Sequence, residues 1–235
     1  MKIAADALTL SSLDYEVTSV PVSQNCAKIF QLKEHALIGI SPFNSYYSEE
    51  RITKLIHLGY STFKDFHLFV PDTLPYFNFL AMGYAPDKAK NKTKRQWNYL
   101  KNKIVKGFSN NGFLFEAASK IVTIGETLKN NDAYNLLHQA CLQKYKNDAS
   151  FKKNCLDASK NILVSYTDSE LDDKLETAVQ YLLAELPLYL DTPSILKIKS
   201  SVFIYHEKLI FFEKLYRLRS NELLANNQGH LIINL

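Results

Sequence analysis

Ser41, the pair Tyr181 and Glu185, and the dipeptide Tyr205-His206 have the side-chain types and spacing that can do chemistry. Ser41 sits in Gly39-Ile40-Ser41-Pro42-Phe43-Asn44-Ser45-Tyr46-Tyr47, directly after an apolar run. His35 to Ile40 reads as a short buried strand and Ser48 to Leu58 as the helix that follows it. A serine at such a turn projects from the carboxyl edge of a sheet, where open α/β folds place their ligands. Ser48 suits an N-cap, and Glu49 and Glu50 suit the first helical turn, so the serine lies beside exposed backbone N–H donors. Tyr181 and Glu185 are four apart on a helical pattern and share a face. A phenol beside a carboxylate can hold an ammonium group or pass a proton. Tyr205-His206 closes a strand at its carboxyl end, so a parallel sheet brings these separate segments to one edge. Singly, each motif also fits an ordinary loop or helix surface.

Charge supplies a second signal. Residues 88–106 carry eight basic side chains (Lys88, Lys90, Lys92, Lys94, Arg95, Lys101, Lys103 and Lys106) and no acidic one, leaving 20 basic against 24 acidic residues elsewhere. On a helix, Trp97, Leu100, Ile104 and Phe108 share one face. Lys88, Lys92, Arg95, Lys103 and Lys106 gather opposite, with Tyr99 among them. A solvated lysine-rich face is the usual fate of such a run. Here no acidic neighbour in the run offsets the repulsion, which favours a polyanion partner, nucleic-acid phosphate being the commonest. A membrane surface fits less well, because the opposite face reads as core.

The elements that must position these groups read as one domain over residues 1–235, alternating strand and helix. Asp65 to Val70 is a second strand, Thr73 to Gly83 a helix, and Phe113 to Lys129 contains a third strand around Lys120 to Ile124. Asp132 to Tyr145 and Ser150 to Ser165 read as helices. Asp168 to Leu186 is strongly helical and is interrupted at Pro187. Lys199 to Tyr205 is rich in β-branched and aromatic residues and reads as a strand, with a last helix over Glu207 to Leu224. This order favours a parallel, doubly wound sheet. No apolar run approaches the roughly 20 residues that span a bilayer, and Met1 to Asp6 opens no secretory h-region, so a cytoplasmic protein is expected. Cys26, Cys141 and Cys155 form no close pair and read as buried fillers, and the six histidines show no metal-ligand spacing.

With these residues in view, the chain resembles the tRNA-dependent cyclodipeptide synthases over nearly its whole length. The resemblance rests on Gly39-Ile-Ser41-Pro-Phe-Asn44-Ser-Tyr-Tyr, Val70-Pro-Asp72, and Leu80-Ala-Met-Gly-Tyr84 leading into the basic helix. It extends to Tyr181-x-x-x-Glu185 and to Tyr205 before the last helix. It implies a Rossmann-like fold with a mostly parallel sheet flanked by helices, similar to class I aminoacyl-tRNA synthetase catalytic domains. The implied reaction joins two aminoacyl groups from aminoacyl-tRNAs into a 2,5-diketopiperazine, with no cofactor, no metal and a monomeric enzyme. Ser41 matches the family nucleophile, Tyr181 and Glu185 the pair that holds the substrate amine, and Tyr205 a tyrosine that assists proton movement. Asn44 matches an asparagine that shapes the loop and contacts substrate. Leu37, Gly39, His67 or Phe69, Leu188 and Phe203 match the lining of the first side-chain pocket. The basic helix matches the tRNA-binding helix, with Lys92, Arg95, Lys103 and Lys106 leading and Lys88 beside them. His206 departs from the usual glutamine or proline after this tyrosine; it can titrate near neutral pH or serve structurally.

Other readings fit less. An ATP-using synthetase needs His-Ile-Gly-His, which His35-Ala-Leu-Ile-Gly39 is not, and Lys197-Ile-Lys-Ser-Ser201 only imitates the Lys-Met-Ser-Lys-Ser loop. A serine hydrolase needs Gly-x-Ser-x-Gly, and Phe43 holds the last glycine position. A non-catalytic RNA-binding module needs only the basic helix and makes Ser41 dispensable.

Overall fold

In His35–Gly39 every residue is buried, as expected of a strand covered on both faces. This strand, β3, organises the molecule. A computed structural model describes residues 8–9, 17–160, 171–218 and 222–235. Its strands are β1 (Leu8–Thr9), β2 (Thr18–Pro21), β3, β4 (Asp65–Val70), β5 (Ile121–Thr123), β6 (Ser201–Tyr205) and β7 (Gln228–Asn234). Its helices are α1 (Gln24–Gln31), α2 (Glu49–Thr62), α3 (Pro75–Ala81), α4 (Pro86–Asn110), α5 (Asp132–Asn147), α6 (Ala149–Ser159), α7 (Leu171–Leu196) and α8 (Ile210–Leu218).

The strands form one sheet in the order β1-β2-β7-β6-β3-β4-β5. From β7 to β5 all neighbours are parallel, while β2 pairs antiparallel with β7 and with β1. The chain leaves β3 toward β4 and β5, then returns to β6 on the other side of β3. That reversal is a topological switch point, where the carboxyl ends of parallel strands leave a crevice for a ligand. Alternation along β3 divides the core. Ala36, Ile38 and Ile40 join Ile52 and Leu55 of α2 and Leu100, Ile104 and Phe108 of α4. Leu37 joins Phe69, Phe203 and the inner face of α7, including Leu183, Leu186 and Tyr189.

The sheet is mixed rather than purely parallel, because the amino-terminal β2 adds an antiparallel edge. Neither β2 nor α1 was foreseen. The last helix is described over Ile210–Leu218 and residues 222–224 form a turn, so the expected helix to Leu224 was too long. Helix α7 passes through Pro187 and bends instead at Asp191 (φ −156°, ψ 61°). Fully buried Leu183, Leu186, Leu188 and Leu190 hold the segment despite the hydrogen bond that proline removes. Helix α6 ends at Ser159. Of the expected helices, residues 161–165, 168–170 and 219–221 lie outside those described. No helix among the described residues is long and apolar enough to cross a membrane.

Candidate active site

The Ile40 N–H still bonds the Phe69 carbonyl at 2.9 Å, after which the chain leaves the sheet and presents Ser41. The Ser41 hydroxyl donates to the Pro42 carbonyl at 3.2 Å. Phe43 then takes φ 65°, the left-handed region a bulky residue avoids at a cost of about 1–2 kcal/mol. The position that lacks the hydrolase glycine thus adopts a glycine-like backbone, and an edge-on contact with Phe79 (centroids 5.1 Å) holds the ring. Ser48 caps α2 by accepting from the Arg51 N–H at 3.2 Å, as its sequence position suggests.

A polar relay fixes the rest of the turn. The Tyr46 N–H donates to Asn44 Oδ1 at 2.9 Å, so Asn44 Nδ2 must be the group donating to His206 Nε2 at 3.0 Å. The neutral ring therefore carries its proton on Nδ1, which donates to the Tyr47 hydroxyl at 3.0 Å, and that hydroxyl donates to the Gly39 carbonyl at 2.9 Å. Burial, with Arg51 nearby, pushes His206 down to about 4, so it stays neutral at physiological pH. Of the two roles open to it, the structural one is what the geometry supports.

Ser41, Tyr181, Glu185 and Tyr205 line one cavity of about 310 Å³ at the switch point, with Gly39, Phe69 and Phe203 among its walls. Gly39 is required by close approach: a Cβ there would meet the Phe203 ring at 2.9 Å. The Tyr181 phenol lies close enough to Ser41 and Glu185, and the Tyr205 phenol to Ser41, for each to influence the other's ionisation. Desolvation raises the Glu185 carboxyl to about 8, opposed by the Tyr181 phenol. Glu185 keeps some accessible surface only because it faces the cavity. Burial also pushes Tyr205 up to about 12, and Tyr181, Tyr189 and Tyr47 well above the ordinary phenol, each with Glu185 adding to the rise. All four phenols are neutral donors at pH 7.

Leu37 and Leu188 do not line this cavity, contrary to the expected pocket, and of the alternatives His67 or Phe69 it is Phe69 that does. Leu37 pairs with His67 and Phe203, one layer below Gly39 and Phe69 on the same sheet face, and Leu188 is fully buried behind them. His67 bonds His35 Nε2 at 2.9 Å, and His35 Nδ1 meets Ser201 Oγ at 2.8 Å. His35, Asp65 and His67 are metal-ligand types that converge, but both histidines hold each other and Lys120 pairs with Asp65. Asn44 and His206 stand behind the turn rather than in the cavity wall. Tyr189, Asn78 and Met82 do line it and were missed. Tyr189 continues the four-residue spacing of Tyr181 and Glu185, a signal the sequence offered. Cys141 and Cys155 are buried thiols raised to about 12.

On α4, Leu100, Ile104 and Phe108 face inward and Trp97 is half-buried, as the periodicity indicated. The cations divide. Lys103 donates to the Tyr47 carbonyl at 3.0 Å, and Lys106 pairs with Glu49 at 3.3 Å, so α2 supplies the acidic offset the run itself lacks. Lys88 and Lys92 lie over Tyr84, at 5.2 and 4.7 Å from the ring centre. Arg95 is exposed.

The family model described as cyclodipeptide synthase matches residues 17–235. A cyclo(L-leucyl-L-leucyl) synthase of Staphylococcus haemolyticus is 29% identical over 90% of this chain and 92% of its own length. A cyclo(L-tyrosyl-L-tyrosyl) synthase of Mycobacterium tuberculosis is 30% identical over 91% of this chain and 74% of its own. A solved cyclodipeptide synthase from Bacillus thermoamylovorans superposes with TM-score 0.82 at 32% identity, covering 93% of this chain and 96% of that one. A solved Mycobacterium tuberculosis protein, described as showing the relation of these enzymes to type I tRNA synthetases, superposes with TM-score 0.83 at 28% identity, over 100% of this chain and 98% of that one. With the fold, the switch-point cavity and these likenesses together, the chain belongs to the cyclodipeptide synthase family.

Proposed function

We propose that this enzyme builds its cyclic dipeptide from two aminoacyl-tRNAs through an aminoacyl ester on Ser41. The observation that carries the reading is the convergence of Ser41, Tyr181, Glu185 and Tyr205 on one cavity from helix α7, strand β6 and the turn after β3. An aminoacyl-tRNA ester is already activated, so no ATP is consumed. The Ser41 oxygen attacks the ester carbonyl, the serine proton leaves, and the tRNA departs with its ribose hydroxyl restored. Covalent capture splits one synthesis into easier acyl transfers. The α-amine of the Ser41-bound aminoacyl group, having lost its proton, then attacks the ester carbonyl of the second aminoacyl-tRNA and releases that tRNA, leaving a dipeptidyl ester on Ser41; held side by side, such groups reach an effective molarity on the order of 10⁵ M or more. In the last step the free amine of the dipeptidyl ester attacks its carbonyl, the ring closes, and the Ser41 oxygen regains a proton.

The amine must lose its proton to attack. With the cavity empty, a carboxyl near 8 is mostly protonated at pH 7; an ammonium beside it favours the carboxylate, which then holds the α-amine of about 7.7–8.0 and accepts its proton. Tyr181 orients the carboxylate, and the neutral Tyr205 phenol donates toward the serine oxygen as it leaves. Phe69, Phe203, Met82 and Leu209 give the cavity an apolar wall that suits an apolar side chain and excludes water. The tRNA lies along α4, its phosphates drawn by Lys88, Lys92 and Arg95.

The test is intact-protein mass spectrometry after incubating the Glu185→Gln variant with aminoacyl-tRNA. The expected result is one aminoacyl mass on the peptide containing Ser41, with cyclic product reduced at least tenfold. An unloaded variant beside a loaded wild type would contradict this division of roles.

A further inference from the structure

Among the described residues that line the reaction cavity, Phe43 alone is exposed, at 47%. Phe69, Tyr189 and Phe203 are by contrast fully buried. Phe43 therefore stands where the cavity meets solvent, two positions after Ser41 on the same turn. The chain holds it there at a cost, since φ 65° is a region that bulky residues avoid. Phe79 touches the ring edge-on, with centroids 5.1 Å apart and 88° between the planes. An edge-on contact covers one ring face at most, so it fixes Phe43 and leaves a face for a further partner.

A line of contacts continues from this ring to the basic helix. Phe79 meets Tyr84 edge-on at 5.5 Å. Lys92 lies 5.4 Å from the centre of the Phe79 ring and 4.7 Å from that of Tyr84, and Lys88 lies 5.2 Å from Tyr84. The ring beside the serine is thus two ring contacts away from two cations of α4.

The chemistry of the acyl donor says what must lie along this line. The ester carbonyl that Ser41 attacks is joined through one oxygen to the terminal ribose of the tRNA. That ribose carries the adenine base and continues into the phosphates of the single-stranded 3′ end. A cavity of about 310 Å³ is at the small end for ligand pockets, and its buried apolar wall suits the acyl side chain. The terminal nucleoside therefore stays at the mouth, with its base no more than a ribose away from the turn that carries Phe43. Proteins hold the bases of single strands by stacking them on aromatic faces, with cations along the backbone.

We propose that Phe43 is the stacking platform for the 3′-terminal adenine of the aminoacyl-tRNA, and that Phe79, Tyr84, Lys92 and Lys88 lead the strand from there to α4. The inference rests on the aminoacyl-serine reading above and assigns a substrate contact within it. Phe43 forms and breaks no covalent bond. It fixes the terminal ribose so that the ester carbonyl meets the Ser41 oxygen.

The experiment measures kcat/KM for Ser41 loading by intact-protein mass spectrometry with two donors. One is normal aminoacyl-tRNA, and the other is the same tRNA acylated on a terminal ribose that lacks its base. Wild type should load at least tenfold less efficiently from the baseless donor. Phe43→Leu, which keeps an apolar side chain without a ring face, should lose a similar factor on normal tRNA and less than twofold more on the baseless one. Phe43→Trp should keep the wild-type pattern. Phe43→Gly carries the leucine test if that variant does not fold, since glycine takes the left-handed region freely. A wild type indifferent to the missing base overturns the proposal and leaves the synthase reading intact. So does a leucine or glycine variant as efficient as wild type on normal tRNA. A variant slowed by the same factor on both donors also overturns it, since the ring would then shape the turn rather than hold the base. A wild type that loads Ser41 from neither donor removes the parent reading and this one with it.

Discussion

A carboxyl enclosed by phenols and an apolar wall is held near 8, and this sets the pH behaviour of the fold as well as the site. Between about 4.5 and 8 the folded Glu185 carries a proton that the unfolded chain has released, so the folded state binds more protons and stability falls as pH rises. Its contribution is neutral below the unfolded value and reaches a destabilisation on the order of a few kcal/mol at the top of the window. Glu185→Gln should therefore raise the melting temperature at pH 8.5 by several degrees, leave it nearly unchanged at pH 5, and still abolish turnover. An equal shift at both pH values, read by thermal scans, would contradict the buried-acid account. At this scale the convergence of Ser41, Tyr181, Glu185 and Tyr205 on one cavity was legible, because strand-end position and helical spacing are local properties. The choice between His67 and Phe69 was not, since the partner that holds His67, His35, is 32 positions away in the chain. It also could not reveal that His206 is neutral and serves Asn44 and Tyr47, since that depends on burial.

Helix α4 does two jobs along its length. Toward its start the cations lie over aromatic rings or are exposed, while Lys103 and Lys106 tie the helix to the nucleophile turn and to α2. Lys103 is thereby tied to the turn that carries Ser41, and on the proposed function phosphate contact would fall to Lys88, Lys92 and Arg95. Replacing Lys103 by methionine should lower the rate constant for Ser41 loading about tenfold, with KM and the slope of log KM against log salt little changed. Arg95→Ala should instead raise KM and reduce the salt slope by roughly one unit. If both variants give the second pattern, Lys103 binds phosphate after all. The helix itself was legible from its apolar period and its run of lysines. Its fastening to Glu49 and the Tyr47 carbonyl was not, because those partners lie more than 50 residues earlier. The bend of α7 has a local cause instead: Asp191 accepts from the Ser194 N–H at 3.0 Å and Pro193 lies between them, so the helix is recapped there rather than at Pro187.

Across the whole molecule, the parallel core was readable from apolar strands alternating with amphipathic helices, and the switch point between β3 and β6 follows from their order. The antiparallel edge was not readable. Thr18–Pro21 is only four residues long, and β7, which separates β2 from β6, begins after the Asn226-Asn227 break, beyond the last element the sequence pattern assigns. The consequence is that residues 200 positions apart close one face, as where Cys26 Sγ accepts from the His230 N–H at 3.3 Å. The central claim is that Ser41, at the switch point of this sheet, carries the acyl group in a synthesis of cyclic dipeptides. Mass spectrometry of extracts from bacteria expressing the chain, in parallel with its Ser41→Ala variant, tests it most directly. The account predicts a diketopiperazine mass with the natural chain and none with the variant at equal soluble yield. The same mass at the same level from both would contradict it.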